Sequence, residues 1–256
     1  MKRDAIKARF REQVGKPIDT ESIRKLGRKA KRASIFVGQK TRIDIAAALA
    51  HAGFLEPGRI GEIYDALSEG WLNEVIDAPS VTPKTVDQPE EPAGLWDEYW
   101  SVAEDAIAGK LDAAGITTRT AYLGGLMGDD YLSATAKAAR EYPKVMSMDG
   151  SPPPPKITLE TLAACPNGSL GREFHDMIVD NKFDLEVLDR DEIGLSDLPQ
   201  PLNYLNTRIL QAHDLWHIVA GYETTALHEI AISAFQMAQF GHPYSAQFLA
   251  VMGAVG

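Results

Sequence analysis

Residues 202–240 read LNYLNTRILQAHDLWHIVAGYETTALHEIAISAFQMAQF. Apolar side chains recur every three or four residues up to Gly221, a favourable C-cap, so a helix is predicted over Leu202–Ala220. A second helix is predicted to start at Thr224 or Thr225, because either side chain can cap its first turn. If the second helix folds back on the first, polar side chains of the two helices can meet.

Four polar residues of this helix pair form a candidate metal site. His213 and His217 are four residues apart, so both imidazoles lie on one face of the first helix. Asp214 lies about 100° further round, where its carboxylate could reach the ion or orient a histidine. Glu229, in the first turns of the second helix, supplies another ligand if that helix folds back. Two histidines with one or two carboxylates suit zinc, iron(II) or manganese, and ligands from only two helices leave open positions.

Other interpretations of the same residues stay open at this point. The four could be polar groups that cap and pair around a helix turn, without any ion. The His-Asp pair is also found in phosphohydrolases, but those enzymes need additional, separated His and Asp ligands. His51 and His175 offer no convincing set of that kind. His228 is expected at the surface or behind the ligands.

A second motif, PNGSLGREF at residues 166–174, predicts a tight turn that opens into a helix. Arg172 could hold a carboxylate or phosphate through two parallel hydrogen bonds. An internal salt bridge or a helix cap is the alternative role. Glu173 follows at the start of the helix, and Ser169 has no base near it in sequence that would make it a nucleophile.

The remaining chain also predicts helices, and no convincing strand pattern occurs, so the fold class is all-α. Residues 1–77 are predicted to be a helical N-terminal extension, whose role the sequence does not indicate. Residues 78–94 contain four prolines and are predicted to be a linker. Residues 95–256 are predicted to be the main helical domain, which contains the metal site between two consecutive helices. This domain opens with an aromatic stripe, from Leu95 to Ala103, at the spacing of a buried helix face.

Charge is distributed unevenly along the chain. Residues 1–44 hold fourteen Lys/Arg and five Asp/Glu, whereas residues 45–256 hold twelve Lys/Arg and thirty-one Asp/Glu. The acidic body would repel phosphate, so nucleic acid is excluded as a partner of this part. The basic head, residues 1–44, is interpreted either as a solvated helix face or as a surface that contacts anionic lipid or an acidic partner.

Two features bear on the compartment and on membrane contact. A single cysteine, Cys165, excludes a disulfide within the chain and a Cys-rich metal site. No secretory signal is recognised, and acidic residues in the N-terminal segment argue against a transit peptide, so a bacterial cytoplasmic protein is expected. Residues 230–256 contain no charged Asp, Glu, Lys or Arg and are split by Gly241-His242-Pro243. Each piece is too short to span a bilayer, so three interpretations stay open: buried helices, a wall for a long isoprenoid tail, or an interfacial contact with a membrane.

The two motifs together resemble the coenzyme Q biosynthesis protein 4 family over roughly residues 120–252. The family pattern is H-D-x-x-H, eleven residues, then E, and it falls on His213, Asp214, His217 and Glu229. The family's G-S-L-G-R-E-[YF] falls on residues 168–174. Tyr204 and Arg208 also match positions where the family tends to place a tyrosine and an arginine. Residues 1–95 have no recognised counterpart.

The resemblance implies an all-helical fold, a divalent metal (zinc first, iron as the alternative) and a role in ubiquinone biosynthesis. The implied reaction is C1 decarboxylation, in some accounts oxidative, of a polyprenylated 4-hydroxy-3-methoxybenzoate, with Arg172, Glu173 and Arg208 as candidate catalytic residues. A non-catalytic scaffold that binds isoprenoid lipid is the alternative function. Expected partners are the lipid-like precursor, other ubiquinone biosynthesis proteins, the membrane surface and further copies of the chain. The expected location is peripheral to the bacterial inner membrane, or to the matrix side of the mitochondrial inner membrane in a eukaryote.

Overall fold

The structure is a computed structural model that describes residues 3–33, 36–77, 81, 88–143, 145–148, 150–186 and 188–256. Within these residues the chain is mainly helical and contains no strand, which confirms the all-α fold class. The α-helices of the described residues are α1 (Arg3–Val14), α2 (Thr20–Ala33), α3 (Gln39–Ala50), α4 (Ile60–Leu72), α5 (Leu95–Ile107), α6 (Ala113–Gly125), α7 (Gly128–Arg140), α8 (Leu159–Ala163), α9 (Leu170–Asn181), α10 (Leu202–Ala220), α11 (Ala226–Phe240) and α12 (Pro243–Val255).

The helix starts and ends follow local capping rules. α10 has the predicted bounds, and Gly221 ends it with a φ of 68°, in the left-handed region that favours glycine. Thr158 caps α8 by accepting a hydrogen bond from the Thr161 N–H. Ser169 caps α9 in the same way, accepting from the Arg172 N–H. The sequence had placed a turn and a helix here without assigning the cap to Ser169.

The chain divides into two compact units, residues 1–142 with 233–256, and residues 143–232. The first unit contains helices from both sides of residues 78–94. Most of that segment (78–80 and 82–87) lies outside the described residues, so the proline-rich linker and the domain boundary drawn there stay predictions.

The core of the first unit is built on an aromatic cluster. Phe10 of α1 stacks on Tyr99 of α5 with ring centroids 4.7 Å apart, and Trp96 and Trp100 meet Phe10 edge-on at 5.4 Å. The Tyr99 hydroxyl donates to the carbonyl of Ala250 in α12 at 2.7 Å, which satisfies a buried polar group. The aromatic stripe of α5 is therefore buried, as predicted, and it holds the N-terminal and C-terminal helices in one core.

The C-terminal apolar run forms buried helix in this unit. α12 packs against α3 and α5 and buries Ala246, Ala250, Val251 and Ala254. The buried-helix interpretation is therefore confirmed for α12. Among the described residues, no helix has the length and apolar character needed to cross a membrane.

A π-helical turn, His51–Leu55, continues α3. The turn presents the carbonyl of Gly53, which accepts hydrogen bonds from the Tyr131 hydroxyl at 2.7 Å and from Gln247 Nε2 at 2.9 Å. Because the partners come from α7 and α12, long-range contacts stabilise this local distortion.

The second unit contains α8, α9, α10 and the first half of α11. Its apolar core joins Phe174 and Ile178 of α9 to Leu215 and Ile218 of α10. A proline-rich stretch before α8 is tied to the same unit, because Arg190 donates to the Pro154 carbonyl at 2.6 Å and Gln211 donates to the Pro155 carbonyl at 2.7 Å. This packing holds α10, which carries the histidine pair, against α9.

Candidate metal centre

Three of the four predicted ligands converge in the second unit. His213 Nε2 lies 3.0 Å from Glu229 Oε2, and His217 Nε2 lies 3.3 Å from Glu229 Oε1. The two Nε2 atoms are 3.3 Å apart. One ligand atom from each residue lies within 4.8 Å of the others, a span that one divalent ion can bridge. Glu229, in the first turn of α11, therefore lies against the histidine pair of α10, as the spacing of the motif required.

The three side chains differ in exposure. His217 is fully buried at 0%, whereas the side chains of His213 and Glu229 are 30% and 35% exposed. The group thus has one deep ligand and two ligands at its rim. Solvent or another molecule can approach from the rim.

The hydrogen bonds of His217 define its tautomer. Its Nδ1 lies 3.1 Å from the backbone carbonyl of Glu223, and a carbonyl can only accept, so the proton of a neutral His217 is on Nδ1. The lone pair of Nε2 then points toward Glu229 and His213. Metal-binding histidines commonly use this arrangement, in which a carbonyl holds one ring nitrogen and frees the other.

Protons can take the place of a metal between these groups. Burial raises the pKa of the Glu229 carboxyl, but hydrogen bonds from His213 and His217 outweigh burial and hold the pKa at about 2. Burial lowers the pKa of His217, but the hydrogen bond to Glu229 and its charge leave that pKa above the ordinary value. Without a cation, a proton on His217 relieves the repulsion between unprotonated nitrogens and oxygens at these distances.

Two imidazole nitrogens and a carboxylate fit the ligand sets of both catalytic zinc and non-haem iron(II). Structural zinc sites are normally closed by four protein ligands, whereas three ligands leave positions for water or substrate. The donor set of His213, His217 and Glu229 is therefore compatible with an ion that exchanges its remaining ligands.

Comparison with known proteins identifies the segment that carries this group. The family model described as "Coenzyme Q (ubiquinone) biosynthesis protein Coq4" matches residues 153–255. Residues 153–255 are therefore similar to the Coq4 family. A curated protein of Danio rerio, named "Ubiquinone biosynthesis protein COQ4 homolog, mitochondrial", is 35% identical over 94 residues. That match covers 35% of this chain and 34% of the relative, so it spans about a third of the relative's length. No solved structure matches the chain.

Asp214 is not part of the three-residue group. It follows His213 on α10, and burial raises the pKa of its carboxyl despite the nearby histidines, which lower it. Successive residues of a helix point about 100° apart, which explains why Asp214 does not share the direction of the two histidines. Its role as a ligand stays a prediction.

The two candidate catalytic residues of α9 occupy its first turns. Arg172 Nε donates to Asp176 Oδ1 at 3.0 Å, and its Nη1 donates to the Ala163 carbonyl at 3.3 Å. This internal salt bridge is the alternative that the sequence left open. Glu173 is exposed. Roles for Arg172 and Glu173 in catalysis stay predictions.

Arg208 lies on α10, but on a different face from the histidine pair. Its Nε donates to the Tyr204 hydroxyl at 3.2 Å, and the guanidinium lies over the Tyr204 ring at 5.5 Å. Nine residues separate Arg208 from His217, which corresponds to about 180° of helical rotation. Its catalytic role, too, stays a prediction.

The Glu223 backbone is the part of the candidate metal centre that sequence reasoning missed. Its carbonyl accepts from His217, and its N–H donates to His228 Nδ1 at 2.9 Å. A backbone carbonyl has no residue signature, so the motif could not reveal it. His228 is half-buried and contacts the backbone N–H of Glu223, and its position behind the ligands stays a prediction.

Proposed function

We propose that this chain takes part in ubiquinone biosynthesis as a metal-dependent enzyme. Its proposed reaction removes the C1 carboxyl group from a polyprenylated 4-hydroxy-3-methoxybenzoate. The observation that supports this proposal is the convergence of His213, His217 and Glu229 within a segment that is similar to the Coq4 family. The match spans about a third of the curated relative, so the activity is assigned to this chain as a proposal.

Zinc is the proposed ion, and iron(II) is the alternative if the reaction is oxidative. A bound divalent cation supplies positive charge for an acidic oxygen of the substrate and for negative charge that develops on the ring. His217 would bind through Nε2 because Glu223 holds its Nδ1 proton. His213 and Glu229 would complete the protein ligands at the exposed rim.

The protein's own contribution to the reaction is binding and orientation. In the non-oxidative form, the bond between C1 and the carboxyl carbon breaks and carbon dioxide leaves. The electron pair of the broken bond remains on C1, which then takes a proton from water. In the oxidative form, the carboxyl group also leaves as carbon dioxide, and molecular oxygen is the co-substrate. One of its atoms is added at C1 and the other leaves as water, and the ring supplies the electrons by becoming a quinone. A rim made by His213 and Glu229 orients the aromatic head group and leaves an isoprenoid tail outside the ligand group.

The scaffold function makes a different prediction for the same residues. A scaffold that uses its metal structurally has no need of exchangeable positions. Exposure of 30% and 35% at His213 and Glu229 favours a reactive centre over a closed structural site.

The test combines metal content with function. Element-resolved analysis of the purified chain should find zinc or iron in the wild type and much less in His217→Ala and Glu229→Gln. Glu229→Gln is included because a partly exposed side chain of the same size can be exchanged with little risk to folding. His175→Ala on α9 is the matched control, since it removes a histidine outside the ligand group.

The same four proteins should be tested in a ubiquinone-deficient strain at equal protein level. Wild type and His175→Ala should restore ubiquinone, and the two ligand variants should not. If both ligand variants restored ubiquinone, the function would not depend on the metal. Purified wild-type chain should also decarboxylate a prenylated 4-hydroxy-3-methoxybenzoate, whereas restoration without such turnover would favour the scaffold.

We also propose a peripheral position at the membrane, with contacts to other ubiquinone biosynthesis proteins and an oligomer of the chain. The relative's name places that protein in mitochondria. In this chain the support comes from α2 and the end of α4. Lys25, Lys29 and Arg32 lie at i, i+4 and i+7 on α2, and none has an ion-pair partner among the residues the structure describes. Trp71 at the end of α4 is 44% exposed, so aromatic and basic groups are both available to an anionic lipid surface.

A further inference from the structure

We infer that His228 is a positioning residue for the metal centre, acting on His217 through the backbone of Glu223. This inference rests on the proposed metal site. It concerns a histidine that precedes Glu229 in sequence but is not one of the converging ligands. Three contacts connect it to the centre.

The first contact joins the ligand His217 to the backbone carbonyl of Glu223. His217 Nδ1 donates to the Glu223 carbonyl at 3.1 Å, which aims Nε2 at Glu229. The position of this carbonyl therefore sets the direction of the deepest ligand. A carbonyl that rotated away would leave His217 free to turn its ring or to change tautomer.

The second contact holds the same peptide segment from its other side. The Glu223 N–H donates to His228 Nδ1 at 2.9 Å. Because a backbone N–H can only donate, His228 must accept, so its own proton lies on Nε2. His217 and His228 therefore hold opposite tautomers, and each tautomer is imposed by one polar group of Glu223.

The third contact orients the ring of His228. Tyr222 stacks on it with centroids 5.3 Å apart and ring planes 15° from parallel. Stacking fixes the plane of the imidazole and thereby the direction of Nδ1. The loop between α10 and α11 is otherwise exposed, so His228 and Tyr222 supply local order to a segment that lies largely in solvent.

The test measures zinc affinity of the full chain by competition with a chromophoric chelator. His228→Phe keeps a ring to stack on Tyr222 but removes the acceptor, and we expect zinc binding to weaken about tenfold. This value is at the low end of the effect of outer ligand partners, since water can partly replace His228 at the exposed Glu223 N–H. His228→Asn places an amide oxygen close to the position of Nδ1, so near-wild-type affinity is expected.

The comparison between the two variants separates positioning from folding and from direct ligation. Asparagine is a poor zinc ligand, so recovery in His228→Asn cannot come from a bond to the ion. His175→Phe is the matched control and should bind zinc like the wild type. Equal affinity in wild type and His228→Phe would overturn the inference while leaving the metal site intact. Absence of zinc and iron binding in the wild type would instead overturn the proposed function, and the inference with it.

Discussion

At the scale of single residues, Glu229 is the group on which the centre depends most directly. Its two oxygens face the Nε2 atoms of His213 and His217 at 3.0 and 3.3 Å. Glu229→Gln replaces a charged oxygen ligand with a neutral amide of the same shape. Zinc affinity, measured by chelator competition, should fall by more than the 10- to 100-fold that loss of an outer partner typically costs.

Glu173→Gln is the control for that variant, because it removes an exposed carboxylate from the same unit. It should leave zinc affinity unchanged. If Glu229→Gln and Glu173→Gln bound zinc equally well, Glu229 would not be a ligand, and the group would be an ion pair between α10 and α11.

Zinc affinity should also depend on pH, because protons compete with the ion for His217. The hydrogen bond to Glu229 raises the pKa of His217 above its ordinary value of 6.5, despite burial, which lowers it. Affinity should be level above that raised pKa and should fall about tenfold per pH unit below it for one competing proton. Titrations at a series of pH values measure this. A flat profile down to pH 5 would contradict the involvement of His217.

The free energy of unfolding of the metal-free protein should change with pH in the opposite direction to zinc affinity. A raised pKa of His217 stabilises the fold fully below pH 6.5, and this contribution is lost as the pH rises through the folded-state pKa. The lowered pKa of Glu229 stabilises the fold above pH 4.5, and this contribution is lost as the pH falls toward about 2. Between pH 4.5 and 6.5 the metal-free wild type should exceed Glu229→Gln in free energy of unfolding by about 1 kcal/mol. Denaturant titrations at pH 5.5 and above pH 8 should show that difference shrinking at the higher pH.

Sequence spacing predicted part of this centre for a simple geometric reason. Residues four apart on a helix share a face, so His213 and His217 had to lie together once α10 formed. Glu229 could join them only through the fold of α11 onto α10, which the motif indicated by resemblance. The contacts of Arg172 with Asp176 and Ala163 were one of two alternatives, and spacing could not choose between them.

At the scale of elements, the end of α10 links helix stability to the centre. Gly221 N–H donates to the Ile218 carbonyl at 3.2 Å, and Tyr222 N–H donates to the His217 carbonyl at 2.8 Å, which together form a Schellman motif. Gly221→Ala forces a side chain into the left-handed conformation and should lower the free energy of unfolding by about 1–2 kcal/mol. Denaturant unfolding of metal-free protein provides the measurement.

Gly15→Ala is the matched control, because Gly15 has no positive φ and an added Cβ there would make only ordinary contact. It should change stability by less than about 0.5 kcal/mol. Equal effects of the two substitutions would mean that the left-handed C-cap does not hold the end of α10.

Helix ends were predictable where a single residue determines them, and unpredictable where distant residues do. Gly221 marks the C-cap of α10 in the sequence, so the end of α10 could be predicted. The π-helical turn His51–Leu55 depends on Tyr131 and Gln247, which lie far away along the chain. Local sequence propensity cannot predict a distortion that depends on such distant residues.

At the scale of the whole chain, the N-terminal helices are part of a core that also contains the C-terminal helix. Phe10 of α1 packs on Tyr99, which in turn donates to Ala250 of α12. The family match begins at residue 153, so α1–α7 lie outside it. Composition revealed helices in this region, but only long-range packing shows that α12, inside the match, shares its core with helices outside the match.

The charge asymmetry of the chain leads to a prediction about membranes. α2 presents Lys25, Lys29 and Arg32 along one exposed stripe, and its neighbour α4 ends at exposed Trp71 and Leu72. We expect the full chain to sediment with vesicles of phosphatidylcholine and phosphatidylglycerol more than with phosphatidylcholine alone, and less at high salt. Lys25→Glu with Lys29→Glu should weaken the anionic-vesicle binding about 30-fold, at roughly 1 kcal/mol for each basic residue lost near the surface.

Lys110→Glu with Lys137→Glu makes the same change in net charge at exposed sites on the α5–α7 part of the first unit, and it should bind vesicles like the wild type. Comparing the two pairs separates a defined docking surface from the effect of total charge, because a protein with a net charge of −10 is repelled overall by anionic lipid. Trp71→Ala should weaken binding further, since an aromatic ring at the headgroup level adds apolar contact that does not depend on salt. Equal losses in both charge-reversal pairs would show that α2 holds no special position, and the basic head would then be a solvated helix face.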